Sequence, residues 1–137
     1  MTLYLDSSVL VKLYIDEPDS ESIVARVQSA TLIATSAIAY AEVRATFARR
    51  RREGLLSSQE LSTVCRRFDA DWASFLTVEA GDALVRSAGA LSDSHALRGG
   101  DAIHLASFEH LLAGAQDDEM EFLCADDRLS DAARNLG

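Results

Sequence analysis

Apolar and polar positions along this chain alternate between two periods, and the switches between them mark its elements. Leu3-Tyr4-Leu5 is a short apolar run that ends abruptly at Asp6-Ser7-Ser8, after which Val9-Leu10-Val11 resumes the pattern with helical continuation to Leu13-Tyr14. This predicts a buried strand followed at once by a helix, with a carboxylate delivered to the strand's end. Asp16-Glu17-Pro18-Asp19 makes a turn and a helix start, with proline at or near the first helical position, and Ile23, Val24 and Val27 give a short amphipathic helix. Thr31-Leu32-Ile33-Ala34-Thr35 is a second strand, bounded by Ser36 as an N-cap.

A long helix is predicted over 37–53, stopped by Gly54 at the position that favours a left-handed backbone. Ser57 and Glu60 have the spacing of a capping box, opening a helix through Leu61, Val64, Phe68 and Trp72. Phe75-Leu76-Thr77-Val78 is a third strand, and Ala80, Leu84, Ala88 and Leu91 form one helical stripe. The stretch 92–97 reads as a polar connection. Gly99-Gly100-Asp101 launches a strongly apolar helix, 121–125 is a fourth strand ending at Asp126-Asp127, and 129–136 is a closing helix. Strands alternating with helices imply βαβ crossovers. The expected fold class is α/β, with one domain over 1–137 and a central, mainly parallel β-sheet flanked by helices on both faces.

Composition narrows the picture little. The 137 residues are 48% apolar and 26% charged, with one proline and no low-complexity tract, which suits a single globular domain with its own core. No apolar stretch reaches the length of a bilayer span, and no basic region precedes Leu3-Tyr4-Leu5-Asp6. Cys65 and Cys124 lie far apart and match no zinc spacing. A cytoplasmic protein with reduced thiols, away from membranes, is the expectation. The net charge of −9 argues against a general nucleic-acid binder, yet Arg49, Arg50, Arg51 and Arg52 form one basic block. A local patch facing a polyanion is compatible with acid concentrated elsewhere.

Four acids carry the candidate chemistry. Taken singly, Asp6, Asp101 and Asp126 each precede a helical pattern, where an aspartate ordinarily caps. Glu42 is different: Ile38, Ala39, Ala45 and Thr46 are its helical neighbours, so it lies on or beside an apolar face. Burying it uncompensated is costly, and it needs a cation, a proton or a hydrogen-bond network, with Arg44 on the other side of the helix. Taken together, strand-end acids of a parallel sheet share one edge, where chemistry collects in open α/β folds. Several carboxylates in one place repel each other unless a divalent cation sits among them, and hard oxygen ligands suit Mg²⁺ or Mn²⁺. The implied chemistry is metal-assisted phosphodiester hydrolysis.

Four stretches, in this order, carry a family resemblance. The segment 3–14 resembles the opening of a PIN domain, 36–44 with Glu42 its second acidic motif, 99–106 its third and 122–129 its fourth; size and layout are most similar to VapC toxins of prokaryotic toxin–antitoxin pairs. The resemblance implies an Mg²⁺- or Mn²⁺-dependent endoribonuclease whose acids are Asp6, Glu42, Asp101 and Asp126, with Asp6, Asp101 and Asp126 toward the metal and Ser8 in support. It also implies a homodimer and a VapB-type antitoxin that covers the groove. Cys124 stands where Ser or Thr is usual. Asp127 follows Asp126 directly, and motif position favours Asp126 for the metal.

The remaining candidates have plainer readings beside the chemical ones. Arg49 to Arg52 sit at a helix C-terminus, where positive charge is favoured anyway; phosphate contact by some of them is the alternative. His104 lies one turn after Asp101 in an apolar run and reads as a core histidine. Ser7 and Ser8 lack a nucleophile-elbow motif, which discounts serine hydrolysis. A receiver domain wants a late strand-end lysine, whereas the only lysine is Lys12. An aspartyl-phosphate phosphatase wants an acid where Ser8 stands. The non-enzymatic alternative is a PIN-like fold kept as a binding or regulatory module.

Overall fold

In a computed structural model that describes residues 1–115 and 119–136, strands and helices alternate as the hydrophobic pattern predicts. The order is β1 (Thr2–Leu5), α1 (Ser7–Val11), α2 (Ser20–Ser29), β2 (Leu32–Ser36), α3 (Ala39–Arg52), α4 (Ser58–Trp72), β3 (Leu76–Val78), α5 (Asp82–His95), α6 (Gly99–Gly114), β4 (Met120–Leu123) and α7 (Asp127–Arg134). The four strands pair in the order β3-β2-β1-β4, every pair parallel, with Leu3 opposite both Ile33 and Glu121. All four carboxyl ends therefore lie along one edge. The chain runs to one side of β1 for β2 and β3 and returns to its other side for β4. That reversal opens a crevice at the carboxyl end of β1, where α/β sheets hold their ligands.

The period-two alternation of β1 divides the core. Leu3 and Leu5 face one way and join Val9, Leu10, Val43, Phe47 and Phe68 beneath α1, α3 and α4. Tyr4 faces the other way and joins Ala34, Leu105, Phe108 and Leu129 beneath α6 and α7. Each buried Val, Leu or Phe among these contributes roughly 1.5–3 kcal/mol of hydrophobic stabilisation before entropy is counted. Small residues, Ala88, Ala102 and Ala106, let α5 lie close on α6.

Local signals set several ends. Gly54 takes φ +78°, its amide donating to the Arg51 carbonyl and that of Leu55 to the Arg50 carbonyl, which closes α3 in a Schellman motif. The Ser57–Glu60 capping box is formed in both directions.

Several boundaries differ from expectation. Ser36 closes β2 rather than capping a helix, β4 ends at Leu123 rather than at residue 125, and α7 starts at Asp127 rather than at residue 129. The first helix is regular only to Val11; the amides of Lys12, Leu13 and Tyr14 then bond three residues back, tightening its last turn. The third helix begins at Ala39, which moves Glu42 into its first turn. The stretch 92–97 is not a connection, because α5 continues to His95 and ends at Ala96 with φ 53°. A left-handed C-terminal residue is usually glycine, and alanine there carries no stop signal in the sequence.

Candidate active site

Asp6 leaves the end of β1 in an extended backbone conformation and caps α1, its Oδ1 accepting from the Val9 amide at 3.1 Å and from Ser8 Oγ at 2.7 Å. The side chain is only 5% exposed. Capping and site membership are thus both true of this residue, since one oxygen serves the cap. Burial pushes the Asp6 carboxyl up, and the nearby charge of Asp101 adds to this against the hydrogen bonds from Ser8 and Val9. Ser8 also accepts from the Ala125 amide at 3.3 Å, tying the end of β1 to the loop after β4.

Asp101 does not cap. Arg98 holds the N-cap position of α6 with no side-chain bond, and Asp101 lies inside the first turn, where the helix dipole favours an acid. Burial raises its carboxyl, and the charges of Asp126 and Glu42 raise it further. Asp126 does cap: its Oδ1 accepts from the Leu129 amide at 3.0 Å. Its charge is the one felt at Asp101, while exposed Asp127 begins α7. Cys124 donates to the Asp126 carbonyl and meets Ser130 Oγ, each at 3.2 Å, so this thiol organises the start of α7.

Glu42 receives the hydrogen-bond network its surroundings demand. Ser7 Oγ donates to its Oε1 at 2.6 Å, and His104 Nε2 stands 2.8 Å from the same oxygen. Its Oε2 lies beside Gly100, where a Cβ would meet it at 3.0 Å. Burial acts to raise the Glu42 carboxyl, but the bonds from His104 and Ser7 outweigh it and hold the group below the ordinary carboxylate range. Arg44 turns away to Tyr40 and Asp69, as helical geometry requires.

His104, a core histidine by its sequence pattern, is a site residue as well. It is indeed a core histidine, 2% exposed, yet it also reaches the acid of a different helix. Its spacing of three from Asp101, on one face of α6, is the signal that could have found it.

Asp6, Glu42, Asp101 and His104 line a groove of about 550 Å³ together with Lys12, Arg49 and Arg50, while Asp126 stands outside its lining, next to the lining residue Ala125. Lys12 Nζ lies 2.7 Å from both Glu17 and Asp19, and Arg50 lies 2.9 Å from the other Glu17 oxygen. The basic block thus splits. Arg49 and Arg50 reach the groove, whereas Arg51 donates to Ser58 on α4 and exposed Arg52 is not part of the lining. Lys12 and Glu17 are groove residues that the sequence did not single out. A larger hollow of about 760 Å³, lined by Leu76, Val78, Leu84 and Leu111 beside β3, shares no residue with the groove and receives none of the four acids.

Among the described residues, no three His, Cys, Asp or Glu side chains already stand as a complete ligand set. The donors nevertheless fit a hard divalent cation in kind. They are carboxylate oxygens, and two of them, Asp6 and Asp101, are raised by burial and by neighbouring negative charge, which a cation would relieve. Mg²⁺ needs only one or two protein carboxylates, because water and substrate phosphate complete its shell. Among the described residues, no helix is long and apolar enough to cross a membrane.

Comparison with known proteins agrees with this geometry. The family model described as PIN domain matches residues 3–135. Ribonucleases VapC45 and VapC49, from two strains of Mycobacterium tuberculosis, are each 38% identical over 105 residues, covering 77% of this chain and 73% of theirs. Among solved structures, FitAcB from Neisseria gonorrhoeae superposes with a TM-score of 0.67 at 20% identity, covering 96% of this chain and 93% of its own. A toxin–antitoxin complex from Klebsiella pneumoniae gives 0.61 at 18% identity, covering 90% and 86%. VapBC2 from Rickettsia felis, bound to a promoter DNA fragment, gives 0.59 at 11%, covering 90% and 100%. With a family match across nearly its whole length and relatives at this identity, the chain belongs to the PIN domain family.

Proposed function

We propose that this protein is a metal-dependent endoribonuclease of the VapC toxin type. The observation that carries the reading is the meeting of Asp6, Glu42 and Asp101 in one groove at the carboxyl edge of the sheet, rimmed by Lys12, Arg49 and Arg50. Its relatives' identity as ribonucleases supports RNA as the substrate class. Asp6, Asp101 and Asp126 would hold Mg²⁺ or Mn²⁺. When bound, such an ion supplies positive charge to phosphoryl oxygens and makes water a better nucleophile near neutral pH.

The chain's own groups do the rest. Glu42, kept ionised by Ser7 and His104, presents Oε2 to orient the attacking water and accept its proton. Water attacks phosphorus in line with the leaving oxygen. Ser8 holds Asp6 and, through the Ala125 amide, sets the distance between Asp6 and the Asp126 loop. Lys12, Arg49 and Arg50 position the strand by its phosphates and read no sequence.

Two protein partners complete the proposal. The structures that share this fold include toxin–antitoxin complexes, which supports a VapB-type antitoxin covering the groove. Exposed Leu76 and Val85, beside the apolar hollow at β3, give surface for a second copy and so for a homodimer.

The test is cleavage of total RNA and of a transfer-RNA pool by the purified chain, with Mg²⁺, with Mn²⁺ and with EDTA, beside Asp101→Asn. Metal-dependent cutting that vanishes in the variant is the expected result. Metal binding without cutting of any RNA would favour a regulatory module instead.

A further inference from the structure

We propose that His104 is a positioning residue for Glu42, wiring this acid to the rigid centre of the sheet through Tyr4. The inference rests on the nuclease reading of the groove and adds to its acids a residue of another chemical kind.

His104 uses both ring nitrogens. Nε2 faces Glu42 Oε1 at 2.8 Å, and Nδ1 faces the Tyr4 hydroxyl at 2.8 Å. An ionised carboxylate only accepts, so the proton between His104 and Glu42 belongs to Nε2. In the neutral ring Nδ1 must then accept, and the Tyr4 O–H donates to it. Ser7 gives its single proton to Glu42 Oε1 and stands 3.2 Å from His104 Nε2, closing a triangle around one oxygen. Both donors that reach Glu42, from Ser7 and His104, thus converge on Oε1, leaving Oε2 beside Gly100 to face the chemistry.

The anchor is stiff. Tyr4 is fully buried on β1, stacked on Phe122 at 5.1 Å between ring centroids and packed edge-on against Phe108. A glutamate has three side-chain torsions, and the first turn of α3 alone cannot choose among them. The network chooses. A histidine kept merely to fill the core would have no need to meet the one acid whose carboxylate must be aimed.

The experiment compares His104→Leu, His104→Gln and Tyr4→Phe with wild type on a cleavable RNA oligonucleotide, with thermal melts alongside. The glutamine amide nitrogen falls near the place of Nε2 and keeps the donor to Glu42. His104→Leu should lower kcat about 10–100-fold with KM within about twofold, the loss expected when a reacting group is misaimed. His104→Gln should recover most of kcat, and Tyr4→Phe should lose several-fold while remaining folded. Wild-type kcat in His104→Leu, or equal loss of kcat in Leu and Gln variants of wild-type stability, would overturn the proposal.

A second readout does not depend on RNA cleavage. Side-chain ¹⁵N resonances of His104 should report a proton on Nε2 and a bare Nδ1, and Glu42→Gln should shift them. A ring protonated on Nδ1 alone, or one indifferent to Glu42→Gln, would overturn the assignment even in an active enzyme. An inactive wild type with the expected resonances would instead sink the nuclease reading and leave the His104–Glu42 link standing.

Discussion

The hydroxyl of Ser8 lies 2.7 Å from Oδ1 of Asp6, two residues back along the same turn. It satisfies a buried carboxylate and, by accepting from Ala125, fixes where the Asp126 loop begins. Ser8→Ala should therefore raise the Mg²⁺ concentration for half-maximal cleavage about tenfold, as loss of a partner behind a metal ligand commonly does. A metal titration of initial rates checks this, and an unchanged midpoint would exclude the role.

Asp6→Asn and Asp101→Asn should each abolish cleavage while raising the melting temperature in EDTA at neutral pH. Both carboxyls are raised in the fold, Asp6 and Asp101 alike chiefly by burial, so the folded state binds their protons more readily than the unfolded chain. Their ionisation costs stability, which is lost as pH climbs from the ordinary carboxylate range through the raised folded values. The advantage of the variants should shrink on acidification toward that range. Glu42, held low, has the opposite sign: its contribution is present above the ordinary carboxylate value and is lost as pH falls through its own. Melts in EDTA across that range read both effects, and variants that melt lower at neutral pH would contradict the crowding of charge.

Gly100→Ala separates activity from stability. Alanine favours a helix over glycine by roughly 0.5–1 kcal/mol, but its Cβ would meet Glu42 Oε2 at 3.0 Å. The carboxylate must yield, and Ser7 and His104 hold it from the other side. Cleavage should fall while the urea midpoint stays within error or rises. Normal cleavage would mean that Glu42 has room to move without consequence.

At the groove rim, Glu17 occupies Lys12 and Arg50 together, and its carboxyl is held low first by the Lys12 hydrogen bond. In an Asp101→Asn background, Glu17→Gln should tighten RNA binding about twofold to fivefold, the scale of a partly exposed ion pair. Lys12→Met should weaken binding across sequences and reduce the salt slope by about one. Fluorescence anisotropy at several salt concentrations measures both; an untouched slope in Lys12→Met would remove this lysine from the phosphate path.

Phe68 touches Tyr14, Phe47, Tyr40 and Trp72, joining the turn after α1 to α3 and α4 in one aromatic cluster. Phe68→Ala should cost about 3–5 kcal/mol in urea unfolding, the usual loss for a buried aromatic that leaves a cavity. A loss under about 1 kcal/mol would show that the cluster collapses readily into the space.

The sequence by itself determined the alternation of strands and helices, the parallel sheet that follows from it, the placing of Asp6 at the end of β1 and the capping place of Asp126, which lies three residues beyond the end of β4. These rest on periodicity and caps, which act over a few residues and so are written locally. It also marked Glu42 as an acid needing company. Where local signals were silent, at Ala96 for instance, the boundary was misread, because a left-handed alanine announces no stop.

Only the tertiary structure decided who keeps company with whom. His104 lies 62 residues from Glu42 and 100 from Tyr4, and Arg50 lies 33 from Glu17. The apolar pattern assigns each helix a buried face but says nothing of which helix lies opposite. That depends on strand order and on how α3 and α6 meet above the end of β1. The two adjacent hydroxyls show the difference most simply. Ser7 and Ser8 are alike in sequence, yet the helical rotation between them sends one to Glu42 and the other to Asp6.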